Sequence, residues 1–268
     1  NGRTMGSSIR VKNVVFIPNI DLGKGRSESY QYSIDSWKHW CDKNDCELFI
    51  LEDLLLPVEH MPIVWQRYYV FDLLEANNVK YNQVLLVDAD TIIHPDCPNF
   101  FNETDGKYSA VLNNGCHEWV HRSISQWGPN FFDSNSFPLW RYINGGFQIF
   151  NESHKEYLTA IINWYNGNKD NLLQVLGKYN SGDQTCINFF REKYNLEMNI
   201  LPECYNLQDM FKKNLLWVEG YSWWEDSLEN MYKSGWIYHF NAIPQNPMNR
   251  DANYWMKRTY GELYAQIK

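Results

Sequence analysis

The sequence has no long hydrophobic run, no excess of basic residues and no closely spaced pair of cysteines. Its apolar runs, such as residues 83–87, fall far short of the about 20 residues that a membrane-spanning helix needs, so no membrane segment or secretory leader is expected here. Acidic residues outnumber basic ones by 32 to 24. The resulting net charge of −8 disfavours nucleic acid and anionic membranes as partners.

The cysteines argue against a zinc site. They are spread along the chain without any Cys-x-x-Cys pair, and this spacing predicts buried thiols. The six are Cys41, Cys46, Cys97, Cys116, Cys186 and Cys204.

Length and composition predict a folded globular protein. The 268 residues can bury a large core, and 44% of them are hydrophobic. Residues 1–10 are expected to be a disordered lead. The sequence is compatible with a soluble domain that is cytoplasmic, or with one cut from a longer or membrane-anchored protein, and it leaves the localisation open.

The first part of the chain alternates between strands and helices. Strands are predicted at 11–18, 46–51 and 83–87, and helices at 27–43 and 62–77. The third strand is almost continuously apolar, as a strand covered on both faces requires. This order predicts a mainly parallel α/β sheet with helices on both faces.

The second half is less regular. Its predicted elements are strands 108–112, 142–150 and 235–240, helices 153–165 and 183–194, and long aromatic loops at 124–140 and 215–226. Loops of that length in a compact domain are usually functional or mobile.

Two carboxylates follow the third strand. Asp88 and Asp90 are separated only by Ala89, so in an extended chain both side chains project to the same side. Ligands of open α/β sheets bind at the carboxyl ends of the strands. Because close carboxylates repel each other unless a cation lies between them, the pair predicts a site for Mg²⁺ or Mn²⁺ shared with substrate phosphates.

Two other interpretations of the pair remain open. Aspartates at strand ends often cap the following turn through backbone N–H groups. Haloacid-dehalogenase-like phosphatases place an Asp-x-Asp-x-Thr/Val motif at a strand end, although this chain has Ile92 at the last position.

Several separated stretches together resemble GT-A-fold glycosyltransferases that use nucleotide sugars. The resemblance is greatest to the glycogenin-like and galactosyltransferase-type retaining enzymes, and it spans residues 13–241. It is carried by Arg67, "LLVDADTII" (85–93), "YINGGFQIFN" (142–151), "SGDQTCIN" (181–188), "LPECYN" (201–206) and "YHFN" (238–241).

The resemblance implies a GT-A (Rossmann-like) fold and a metal site. Residues 11–268 would form one domain, with a nucleotide-sugar-binding half (11–112) and an acceptor-binding half (113–268). Asp88 and Asp90 match the metal-binding motif and His239 matches the histidine that completes it, with Mn²⁺ expected and Mg²⁺ as a substitute. A neutral imidazole is an acceptable ligand for such an ion.

The remaining site residues follow from the same match. Asp183 and Gln184 match the catalytic pair that faces the transferred sugar, although Ser181 and Gln184 also fit a capping box. Arg67 would contact phosphate or pair with an aspartate of the motif. The nucleotide-binding residues are Asn19, Asp21, Arg67, Asp88, Ala89 and Asp90, and the substrate-binding residues are Asn144, Gly145, Gly146 and Trp223.

Glycine pairs within strands mark either a bulge or a close approach of the backbone. The tryptophans are suited either to stacking on a sugar or to packing under loops.

Taken with the resemblance, the sequence predicts a metal-dependent glycosyltransferase that moves a sugar from a nucleoside-diphosphate sugar, UDP-sugar foremost, to a carbohydrate acceptor. Retention of configuration is implied by the resemblance alone. The alternatives are a non-catalytic carbohydrate- or nucleotide-binding protein of the same fold and a phosphatase.

Overall fold

The fold is built around one six-stranded sheet. The structure is a computed structural model that describes residues 11–23, 25, 27–115, 117–179, 182–208, 233–243, 251–265 and 267. The strands are β1 (Lys12–Pro18), β2 (Glu47–Leu51), β3 (Tyr81–Val87), β4 (Thr91–Ile93), β5 (Tyr108–Leu112), β6 (Ile143–Asn151), β7 (Met198–Ile200) and β8 (Ile237–His239).

Helices flank this sheet along the chain. They are α1 (Ser27–Lys43), α2 (Ile63–Gln66), α3 (Val70–Ala76), α4 (His117–Phe131), α5 (Lys155–Tyr179), α6 (Gln184–Lys193) and α7 (Ala252–Tyr264). None of the helices in the described residues is long and apolar enough to cross a membrane.

The sheet is mixed and mainly parallel. Its strand order is β2-β1-β3-β6-β5-β7, and only β6 runs against its neighbours. Since β6 is antiparallel to β3, Val87 at the end of β3 lies beside Phe147, and the first residues of β6 extend beyond that end. Strands β4 and β8 form a separate antiparallel pair, which sets Thr91 opposite His239.

Helices cover both faces of the sheet, as the sequence predicted. Side chains alternate along each strand, so Val14 and Phe16 enter one core while Val15 and Ile17 enter the other. The first core is completed by residues of α2 to α6 and the second by α1. Burial on both faces accounts for the continuous apolar character of β1 and β3.

Three predicted elements differ from the structure. The helix expected at 62–77 is broken by a 3₁₀ turn at Arg67–Tyr69 between α2 and α3. The aromatic loop expected at 124–140 is helical up to Phe131, with Pro129 inside the last turn of α4. The helix expected at 153–165 continues to Tyr179 as α5.

Some predictions concern residues outside the described part of the chain. These are the disordered lead at 1–10, the aromatic loop at 215–226 with Trp223, the capping role of Ser181 and the buried thiol of Cys116. Of the cysteines, Cys41, Cys46, Cys97 and Cys186 are buried free thiols, as predicted, and Cys204 is half-buried.

Candidate active site

The two aspartates of the motif converge through a turn. An extended chain would have set both side chains on one side, but Ala89 and Asp90 form a turn before β4, so that condition is not met. The turn is stabilised where the Thr91 hydroxyl donates to the Asp88 carbonyl oxygen (2.8 Å). The carboxylates nevertheless end together at the carboxyl edge of the sheet.

His239 completes a group of three metal-ligand side chains. One ligand atom each from Asp88, Asp90 and His239 lies within 4.8 Å of the others. His239 Nε2 is 3.2 Å from Asp90 Oδ1 and 3.7 Å from Asp88 Oδ2. The pairing of β4 with β8 places the histidine there, although nearly 150 residues separate it from the aspartates.

Arg67 links this group to Asp183. Its Nη1 donates to Asp88 Oδ1 (2.5 Å) and its Nη2 to Asp183 Oδ2 (2.7 Å), while the Tyr68 hydroxyl also donates to Asp183 Oδ2 (2.5 Å). Arg67 was expected either to contact phosphate or to pair with the motif, and the structure shows the ion pair. Both donors come from the 3₁₀ turn that interrupts the predicted helix.

Electrostatics favour a cation at the three ligands. Burial raises the pKa of Asp88, Arg67 lowers it in part, and Asp90 raises it again. Burial alone would lower the pKa of Arg67, but Asp183 and Asp88 raise it well above its usual value, so the guanidinium stays charged. Asp88 and Asp183 share the one guanidinium, while Asp90 lies against His239, so carboxylates outnumber the basic side chains of this cluster.

Gly146 leaves space for the side chains of Asp88 and His239. A Cβ at this position would lie 2.5 Å from Asp88 Oδ2 and 2.6 Å from His239 Cε1. Of the two readings of the glycine pair, a close approach therefore applies at Gly146. The Asp88 N–H also donates to the Gly146 carbonyl oxygen (3.1 Å), which ties the aspartate motif to β6.

Amide side chains surround the other predicted residues. Gln184 Oε1 accepts from the Gly145 N–H (2.9 Å), and Gln184 Nε2 donates to Asn113 Oδ1 (3.1 Å). Asn144 is buried and bonded to its neighbours on three sides. Asp183 precedes α6 without capping it, because its carboxylate is turned towards Arg67 and Tyr68.

A cavity of about 180 Å³ opens beside the carboxylates. Its walls include Arg67, Asp88, Ala89 and Asp90, which were predicted to bind nucleotide. The other lining residues are Pro18, Tyr30, Ile63 and Val64. Asn19 and Asp21 follow β1, and the Asp21 carboxylate accepts a hydrogen bond from the Gly23 N–H (2.7 Å). The contacts of these two residues with a nucleotide stay predictions.

The sequence reasoning missed two residues of this site. Tyr68 was expected only as part of a helix, although its position next to Arg67 was a signal. Asn206, which bonds to His239 Nδ1 (3.0 Å), is the last residue of the "LPECYN" landmark, but no role was assigned to it.

The observed residues fit a divalent cation. His239 Nε2 is buried and makes no hydrogen bond to the described residues, although it faces two carboxylates. Carboxylate oxygens with one imidazole nitrogen are acceptable donors for Mn²⁺.

The fold is GT-A-like. Five strands of the sheet run in one direction, β6 runs against them, and the group of three ligands lies at the carboxyl edge.

Comparison with solved structures agrees with that class. The chain is similar to a glycosyltransferase involved in the glycosylation of the major capsid of PBCV-1, with 9% identity and a TM-score of 0.56 over 92% of this chain and 99% of that one. It is also similar to the glycosyltransferase GlyE of Streptococcus pneumoniae TIGR4, with 12% identity and a TM-score of 0.51. That match covers 95% of this chain and 63% of GlyE.

At these identities the likeness shows a shared glycosyltransferase fold and leaves activity to the site. No protein-family model matches the sequence, and no curated protein matches it either.

Proposed function

We propose that this protein is a metal-dependent glycosyltransferase. It would transfer a sugar from a nucleoside-diphosphate sugar, UDP-sugar foremost, to a carbohydrate acceptor. The observation that carries the proposal is the convergence of Asp88, Asp90 and His239 beside a cavity at the carboxyl edge of the sheet. The glycosyltransferase fold of the solved neighbours supports it.

The three ligands would hold Mn²⁺, with Mg²⁺ as a substitute. A divalent cation stabilises the negative charge that develops on a diphosphate as it leaves. Among the described residues, the cavity lined by the two aspartates supplies one basic side chain, Arg67, and two carboxylates already engage it. A bound cation would therefore add the positive charge that the phosphates require.

The chain's own residues would position the sugar. Asp183 and Gln184 are the proposed catalytic residues, and Asn144, Gly145 and Gly146 the proposed sugar-binding segment. Arg67 and Tyr68 would hold the Asp183 carboxylate in one orientation, since both donate to its Oδ2. Glycosyl transfer passes through an oxocarbenium-like state, which a fixed carboxylate can stabilise.

Two further assignments belong to the proposal. Trp223 would stack on the acceptor, and residues 11–112 and 113–268 would serve mainly the donor and the acceptor. Retention of configuration rests on the resemblance of the motifs. Proton NMR of the first product formed would test it, because the anomeric coupling distinguishes retention from inversion.

Thermal unfolding with a panel of nucleoside diphosphates, with and without Mn²⁺, tests the site. Ligand that binds only the native state raises the free energy of unfolding by about 2.7 kcal/mol at a concentration of 100 Kd. We expect a Mn²⁺-dependent stabilisation selective for UDP. It should be lost in Asp90→Asn and kept in Asp96→Asn, which alters an exposed aspartate paired with Lys43.

A second measurement separates catalysis from binding. Slow hydrolysis of a UDP-sugar in Mn²⁺ without acceptor is expected of a transferase. Binding of UDP without any turnover would favour the non-catalytic alternative. Release of phosphate from simple phosphomonoesters, with no response to UDP, would refute the proposal.

A further inference from the structure

We propose that Asn206 is a positioning residue that keeps the proton of the His239 ring on Nδ1, so that the Nε2 lone pair points at Asp88 and Asp90. The metal part of this inference rests on the proposed function. The ring part can be tested on the protein without any metal.

The backbone N–H of Gly146 fixes the orientation of the amide network beside His239. The Gly146 N–H can only donate, and it donates to Asn144 Oδ1 (2.9 Å). This bond fixes which end of the Asn144 amide is the oxygen. Asn206 contacts the same oxygen through Nδ2 (3.1 Å), so the Asn206 amide must present its nitrogen to Asn144.

The orientation of Asn206 then determines the state of His239. With its nitrogen directed at Asn144, Asn206 presents Oδ1 to His239 Nδ1 at 3.0 Å. A carbonyl oxygen can only accept. His239 Nδ1 must therefore carry a proton and donate it to Asn206.

Backbone carbonyl groups at the other end of the network require the same orientation of the Asn144 amide. Asn144 Nδ2 donates to Asn113 Oδ1 (3.1 Å) and to Gln208 Oε1 (2.6 Å). The two amides in turn donate to backbone carbonyl oxygens, Asn113 to Gly115 (2.7 Å) and Gln208 to Leu112 (2.9 Å). Reversing any one amide would place two acceptors or two donors opposite each other.

The consequence falls on the other ring nitrogen. In a neutral ring with its proton on Nδ1, Nε2 carries a lone pair and no proton. His239 Nε2 lies 3.2 Å from Asp90 Oδ1 and 3.7 Å from Asp88 Oδ2. His239 is buried and the two aspartates are half-buried, so three acceptor atoms that face one another here favour a cation between them. The opposite tautomer would turn an N–H towards the carboxylates and occupy the place of the cation.

The first test uses long-range ¹H–¹⁵N NMR of the histidine ring nitrogens in the metal-free protein at pH 9. We expect His239 Nδ1 to carry a proton in the native chain. In Asn206→Leu, which has a side chain of similar size but no acceptor, the proton should move to Nε2. A native ring without a proton on Nδ1 would overturn the inference.

The second test measures the Mn²⁺ dissociation constant by electron paramagnetic resonance. Loss of a partner that orients a metal-bound histidine typically weakens binding by about 10- to 100-fold, and we expect a loss of this size in Asn206→Leu. Asn206→Asp keeps an acceptor for Nδ1 but sets an oxygen opposite Asn144 Oδ1, so we expect a smaller loss than in Asn206→Leu. Asn188→Leu is the matched control, because Asn188 is an equally buried asparagine that bonds to Ile143 and not to the histidine.

The outcomes separate the two proposals. Equal Mn²⁺ affinity in the native chain and Asn206→Leu, or an equal loss in Asn188→Leu, would refute the positioning role. A protonated Nδ1 in a native chain that binds no Mn²⁺ would instead refute the proposed metal site and leave the role of Asn206 in the ring intact.

Discussion

Gly146 is a residue at which a single methyl group would reach two of the proposed metal ligands. The Cβ of an alanine would press on Asp88 and His239 at once, whereas at Gly145 the nearest atom is Arg67 Nη2 at 3.2 Å. Overpacking of this kind costs about 1–3 kcal/mol. We expect Gly146→Ala to weaken Mn²⁺ binding and lower the melting temperature.

Gly145→Ala is the matched control, because it changes the same strand one residue away. Isothermal titration with Mn²⁺ and thermal unfolding should show the larger loss for Gly146→Ala in both quantities. If the two variants bind Mn²⁺ equally well, Gly146 does not shape the metal site.

The identity of the main site residues was accessible from the sequence, while their partners were not. The Asp88-Asp90 pair at the end of an apolar strand and His239 before "FN" were both predicted. Arg67 was predicted with two possible partners, because its direction depends on the 3₁₀ turn that begins there. The role of Asn206 depends on contacts with residues more than 30 positions away, which no local pattern encodes.

At the scale of elements, α1 is tied to the aspartate turn through one indole. Trp37 Nε1 donates to Thr91 Oγ1 (2.9 Å), and the same hydroxyl donates to the Asp88 carbonyl oxygen. Trp37→Phe removes the first bond, worth about 0.5–1.5 kcal/mol, and leaves space beside the turn. We expect lower stability and weaker Mn²⁺ binding.

Trp40→Phe is the control on the same helix. Trp40 is equally buried, but its Nε1 donates to the Cys97 carbonyl oxygen (2.8 Å), away from the aspartates. Denaturant unfolding and Mn²⁺ titration should show both variants destabilised and only Trp37→Phe impaired in binding. Equal binding by the two would mean that α1 supports the fold and not the site.

Elements with strong periodicity and clear ends were predicted well. Helix α1 and strand β5 have the predicted bounds, and the burial of β1 and β3 on both faces agrees with their apolar sequences. Strands β4 and β7 have three residues each, too few for a pattern to show. Helix α4 was missed because its proline and aromatic residues resemble those of a loop; the helix includes Pro129 and ends two residues after it, at Phe131.

For the molecule as a whole, a buried histidine makes stability depend on pH. His154 is 5% exposed, its Nδ1 accepts from the Asn151 N–H (3.0 Å), and burial lowers its pKa. The unfolded chain takes up a proton near the usual histidine pKa of about 6.5, and the native chain resists it. The free energy of unfolding should therefore fall as the pH is lowered through that value.

Urea unfolding at pH 7.5 and 5.5, with EDTA present, measures this effect. The native chain should lose more stability between the two pH values than His154→Gln, by at most about 1.4 kcal/mol per pH unit. His60→Gln changes an exposed histidine and serves as the control. An identical pH dependence in the native chain and His154→Gln would contradict the prediction.

The pairing of β4 with β8 also has a consequence for synthesis. Residues 91–93 bond to residues 237–239, so this small sheet closes a loop of about 150 residues, whose entropic cost grows only slowly with length. A ribosome makes His239 about 150 residues after Asp88 and Asp90. A growing chain thus displays two aspartates without their histidine, and the three ligands come together only after β8 has been made and has paired with β4.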